Sequence, residues 1–89
     1  MIRKRYLFTG EVQGVGFRYR AKYAADKLGI SGWVRNNDDG SVSMEAQGQA
    51  DALQKLTDLI AQGKYISIDS IRKTDIPVIE KEHGFYSID

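Results

Sequence analysis

The chain has 89 residues, with 13 basic and 12 acidic side chains giving a formal net charge of +1, and it is 42% hydrophobic and 28% charged with no cysteine. A chain of this length has room for one core. Its composition speaks against disorder, collagen-like repeats and a membrane span, and its balanced charge excludes recruitment to nucleic acid or an anionic membrane by bulk field. The lack of cysteine removes disulfides, thiolate metal sites and thiol nucleophiles, and no apolar run of signal-peptide length opens the chain, so one cytoplasmic domain over residues 1–89 is expected.

Arg3-Lys4-Arg5 reads as a solvated strand end whose charges discourage edge pairing. Over residues 6–12, Tyr6, Phe8 and Val12 share one parity and Leu7, Thr9 and Glu11 the other, which predicts a strand with one heavily buried face, interrupted by Gly10. Past Gly14 and Gly16, Phe17, Ala21, Ala24, Ala25 and Leu28 recur at helical spacing, and Gly29 supplies a left-handed stop. A second strand over residues 30–36 carries Trp33 and Val34. It runs into Asn37-Asp38-Asp39-Gly40, after which Val42, Met44 and Ala46 alternate with Ser43, Glu45 and Gln47, a hairpin pattern.

Leu53, Leu56, Leu59 and Ile60 predict a second helix from about Ala50, closed by Gly63. Over residues 66–79, Ile66 and Ile68 fall on one parity and Ile71 on the other, so a bulge or register change is expected near Ser70, with Pro77 ending the strand or confining it to an edge. Residues 85–88 form a short last strand. Two helices, each apolar on one side, cover one face of a four- to five-stranded, mostly antiparallel sheet, so the expected class is α+β, a ferredoxin-like split β-α-β sandwich.

The strand-to-helix junction holds the first chemical signal. Gly14 and Gly16 can take positive φ and let a ligand approach the backbone, the first amides of the following helix lack partners, and Arg18 brings a planar guanidinium suited to phosphate. The glycines alone favour a tight turn, and Arg18 at the helix start brings the two readings level. Asn36, where the second strand meets the hairpin, could accept from water and donate to a phosphoryl oxygen, or could simply stabilise the turn.

Other chemistries have little support. His83 is the sole histidine and reads as a surface residue, Asp38-Asp39 reads as a pair of solvated turn formers, and no nucleophile elbow is present. What remains is electrostatic preorganisation around an already reactive substrate, where one well-placed donor contributes ~3 kcal/mol.

The run Gly10-Glu11-Val12-Gln13-Gly14-Val15-Gly16-Phe17-Arg18, with Gly32-Trp33-Val34-Arg35-Asn36 and Asp39-Gly40-Ser41-Val42 after it, closely resembles the acylphosphatase family, and the likeness extends over nearly the whole chain. The resemblance implies a small ferredoxin-like enzyme that hydrolyses the carboxyl-phosphate bond of acyl phosphates without metal or organic cofactor. It also implies that Arg18 and the backbone amides of Gln13, Gly14, Val15, Gly16, Phe17 and Arg18 hold the phosphoryl group, that Asn36 orients the attacking water, and that a phosphoryl oxygen can take the proton.

A small-molecule acyl phosphate is then the expected partner and a monomer the expected state, with neither nucleic acid nor membrane involved. Ser43, Gly63-Lys64 and Asn37-Asp38 depart from the family pattern and bear on loop stability and substrate preference. Two rival readings remain. One is an RNA-binding module using Tyr6, Phe8, Tyr19 or Trp33 for stacking, and the other is a carbamoyl-phosphate-processing unit of a larger maturation enzyme.

Overall fold

The computed structural model describes residues 1–88. In chain order the elements are β1 (Ile2–Glu11), α1 (Phe17–Leu28), β2 (Ser31–Asn36), β3 (Val42–Gly48), α2 (Ala50–Ala61), β4 (Ser67–Ile76) and β5 (Phe85–Ile88). The sheet order is β4-β1-β3-β2-β5; β5 pairs parallel to β2 and every other pairing is antiparallel. Each helix therefore links two strands that flank a third, β3 between β1 and β2 and β1 between β3 and β4, the split β-α-β arrangement expected from the pattern.

Strand alternation sorts residues between the two faces. Tyr6 and Phe8 of β1, Val34 of β2, Met44 and Ala46 of β3 and Phe85 of β5 are buried in one core with Phe17, Ala21, Ala24 and Ala25 of α1 and Leu53, Leu56 and Ile60 of α2. The ring of Phe8 lies stacked 5.8 Å from that of Tyr6 and meets that of Phe17 edge-on at 4.8 Å, which anchors the first residue of α1 to β1. Gly29 ends α1 in the left-handed region, and its amide bonds the last turn.

The outer face differs from expectation at the N-terminus. β1 begins at Ile2 rather than near Tyr6, and Arg3 is no solvated strand end; it is 1% exposed. Its guanidinium binds Glu45 at 2.9 Å and Glu82 at 2.6 Å, and Arg5 reaches the other oxygen of Glu45 at 3.0 Å. Burial works against the charge of Arg3, yet hydrogen bonds and attraction from Glu82 and Glu45 hold its pKa above the ordinary value. The side chain of Gln47 donates to the carbonyl of Ile79 at 2.9 Å and accepts from its amide at 2.8 Å, so the segment before β5 is fastened over this end of the sheet.

The irregularity expected near Ser70 is present. Thr9 pairs with Ser70 and Gly10 with Ile68, which leaves Asp69 as the extra residue. Gly10 sits there at φ 123, where a Cβ would collide with the Ser67 carbonyl and the Asp69 amide. Pro77 follows directly after β4. Gly63 lies just past the end of α2, as expected, and its amide donates to the Ile60 carbonyl at 3.0 Å. The helix ends at Ala61, capped by Gln62 in the right-handed region, and Gly63 also lets Ile66 and Arg20 pack closely against the backbone.

Burial, aided by the charge of Asp75, pushes the Tyr6 hydroxyl up to about 12 from its ordinary value of 10.0. A pKa raised on folding gives stability that is complete below the unfolded value and is lost as pH climbs from about 10 through about 12. Tyr6→Phe should flatten this alkaline limb by roughly 2–3 kcal/mol in urea titrations run between pH 9 and 12. Identical limbs in parent and variant would count against the burial assigned to this hydroxyl.

Candidate functional site

The loop between β1 and α1 takes the shape its glycines allow. Gly14 lies at φ 72 and Gly16 at φ 81, both left-handed, with open space where a Cβ would project. Gly16 is the N-cap residue of α1 and has no side chain to offer the helix amides, and the first turn contains no acidic residue. Among the described residues, the amides of Gly14, Val15, Gly16 and Phe17 donate to no protein acceptor. They lie at the start of a helix, where free amides and the helix dipole together favour an anion.

A cavity of about 220 Å³ opens beside this loop, and Gly14, Gly16, Phe17, Arg18 and Asn36 are among its walls. Two of the predicted side chains, 18 residues apart in sequence, thus border one space. Strand parity explains the placement of Asn36, which shares the helix-facing side of β2 with buried Val34 at the end nearest the start of α1. Its Oδ1 is buried and has no hydrogen-bond donor among the described residues. The turn-stabilising role weighed for Asn36 belongs to Asn37, whose side chain donates to the hydroxyls of Ser41 at 3.0 Å and Ser43 at 2.8 Å and whose amide donates to the Ser41 carbonyl at 2.9 Å.

Arg18 is held from behind, with Nη1 donating to the carbonyl of Ile88 at 3.1 Å. One turn further along α1, Lys22 donates to the carbonyl of Phe85 at 2.9 Å. Both cations reach the same strand, so β5 sets where the guanidinium lies. Gln13 and Val15 are not walls of the cavity. Val15 borders neighbouring grooves, and the side chain of Gln13 donates both amide hydrogens to the hairpin, to the carbonyls of Asn37 at 2.7 Å and Ser41 at 2.9 Å. Sequence reasoning had counted Gln13 only for its backbone; a carboxamide opening a glycine loop is the signal that its side chain has a tethering task.

Among the described residues no group of three or more His, Cys, Asp and Glu side chains could hold a metal ion, and His83 is exposed. No helix among them is long and apolar enough to cross a membrane.

A sequence profile for the acylphosphatase family matches residues 4–87. This chain belongs to the acylphosphatase family. It is 45% identical to the acylphosphatase of Bifidobacterium longum (strain NCC 2705) over 82 residues, which cover 91% of this chain and 84% of that protein. Its fold superposes on the crystal structure of acylphosphatase from Bacillus subtilis with a TM-score of 0.92, at 37% identity and with 100% of each chain covered. It also superposes on part of full-length HypF, solved in a phosphate- and nucleotide-bound form, with a TM-score of 0.86 and 26% identity, covering 100% of this chain and 12% of that one. The chain is a hydrolase of the acylphosphatase family, whose members act on small acyl phosphates.

The tether generates a stability prediction. Gln13→Ala removes two hydrogen bonds between loop and hairpin and should cost about 1–2 kcal/mol in chemical denaturation. Gln13→Glu should cost more at neutral pH, because its carboxylate would face two carbonyl oxygens, and should recover in acid when that carboxyl is protonated. A pH-independent Gln13→Glu penalty would point away from the hydrogen bonds.

Proposed function

We propose that this acylphosphatase hydrolyses the carboxyl-phosphate bond of acyl phosphates without a metal, holding the phosphoryl group on the amides of residues 13–18 and on Arg18 while Asn36 orients the attacking water. The observation that supports this reading is the shared cavity: Gly14, Gly16, Phe17, Arg18 and Asn36 all border it, and among the described residues the amides of Gly14, Gly16 and Phe17 have no acceptor and the buried Asn36 Oδ1 has no donor. A carboxamide oxygen left in that state costs about 1–3 kcal/mol, which a water donating to it would offset. The proposed setting is a cytoplasmic monomer acting on a small molecule, with no nucleic-acid partner.

In the proposed reaction the water oxygen bonds to phosphorus as the bond from phosphorus to the bridging oxygen breaks, and the electron pair leaves with the carboxylate. One water proton stays on the new hydroxyl and the other passes to a phosphoryl oxygen, so an acyl phosphate dianion gives a carboxylate and dihydrogen phosphate. No side chain has to act as a strong base. Charge spread over the phosphoryl oxygens is met by fixed donors, which need little reorganisation as it redistributes.

The first test is phosphate release from acetyl phosphate in the presence of excess chelator, where undiminished turnover is expected and abolished turnover would overturn the metal-free reading. Arg18→Lys should keep the fold and lose roughly 100-fold in kcat/KM, because an ammonium cannot reproduce two parallel hydrogen bonds. Asn36→Ala should lower kcat by a similar factor while the inhibition constant for inorganic phosphate changes little. Equal losses of turnover and phosphate affinity in that variant would assign Asn36 to phosphate binding instead.

A further inference from the structure

We propose that a groove beside the phosphate cavity, walled by Tyr19, Tyr23 and Tyr65, receives the acyl group of the substrate and favours flat, aromatic acyl groups; the inference rests on the function proposed above. The groove has a volume of about 450 Å³ and shares Gly16 and Tyr19 as walls with the phosphate cavity, so the two spaces adjoin. That volume has no use for the acetyl group of the smallest substrates and suits a ring-bearing one.

Direction supports the assignment. In-line displacement requires the leaving carboxylate to depart opposite the incoming water. Asn36, the proposed water-orienting residue, stands at the end of β2, whereas Lys64, Tyr65 and Ile66 lead into β4, and β3 and β1 lie between those two strands. A leaving group moving away from Asn36 across the loop that exits β1 therefore heads toward the tyrosines.

The groove is built for ring contact. Tyr19 and Tyr23 lie one turn apart on α1, and Tyr65 faces them from the connection between α2 and β4. The three are 79%, 58% and 67% exposed, a concentration of aromatic surface that the core does not account for. Lys27 sits 5.4 Å from the Tyr23 ring and Lys64 5.5 Å from the Tyr65 ring, contacts that steady the rings. Beneath them Arg20 donates from Nε to the Leu59 carbonyl at 2.5 Å, pinning α1 to the end of α2, so the floor does not depend on the tyrosine rings.

The test compares kcat/KM for benzoyl phosphate and acetyl phosphate in the parent and in a Tyr23→Ala/Tyr65→Ala double variant. The benzoyl-to-acetyl ratio should fall about tenfold, with inhibition by inorganic phosphate unchanged and the ratio restored in Tyr23→Phe/Tyr65→Phe. An unchanged ratio in a variant whose circular dichroism and urea midpoint match the parent overturns the proposal. So does an equal loss on both substrates, which would place the tyrosines with the phosphate loop, and so does a parental dimer in sedimentation that the double variant abolishes with no change in the ratio, which would make the groove a contact between copies. Failure of the parent to release phosphate from either substrate would instead count against the proposed hydrolysis, and the two failures are thereby told apart.

Discussion

The carboxamide of Gln13 is the contact on which the arrangement of the cavity depends. A loop whose amides point outward toward solvent has few internal bonds to fix its shape, and loops of that kind are the parts of a fold that most easily open. Here the first residue of the loop is fastened to the carbonyls of Asn37 and Ser41, which themselves close the β2–β3 turn next to Asn36. Its far end becomes α1, anchored by the edge-on contact of Phe17 with Phe8. The amides in between can remain without acceptors because both ends are secured, and a shift of the hairpin relative to the loop would move Asn36 relative to those amides.

A second set of contacts fixes Arg18 from the opposite direction. Ile88 and Phe85 accept from Arg18 and Lys22, so β5 acts as a rail for one face of α1. β5 is only four residues long and pairs with β2 alone, so its position also relies on the segment before it. That segment is held across the sheet by Glu82 on Arg3 and by Ile79 on Gln47. Buried ion pairs such as Arg3 with Glu45 and Glu82 contribute little net stability, but loss of one partner leaves the others uncompensated in a poorly solvated place, which keeps the segment in one position.

Much of this was legible in advance, for reasons visible in particular residues. The parity of Tyr6, Phe8 and Val12 and the spacing of Phe17, Ala21 and Ala24 each report a single apolar face, and the structure buries all six. Gly10 and the switch from Ile68 to Ile71 announced the broken register, because strand parity cannot change without an extra residue. Arg3 misled, whereas Gly63 stands at the end of α2 as expected and also serves close packing. A charge at a strand start looks solvated until a distant segment covers it.

By itself, then, the sequence determined most of the elements and their apolar faces, properties written in local spacing, whereas the joining of the glycine loop, Arg18 and Asn36 into one site is implied by the resemblance to the acylphosphatase family. The tertiary structure alone decided which groups those residues meet. Gln13 reaches carbonyls 24 and 28 residues away, Arg18 one 70 away, and Arg3 a carboxylate 79 away. Periodicity records which side of a strand or helix is apolar, but the order in which strands assemble is a global choice, and only that choice brings the two ends of the chain onto one sheet.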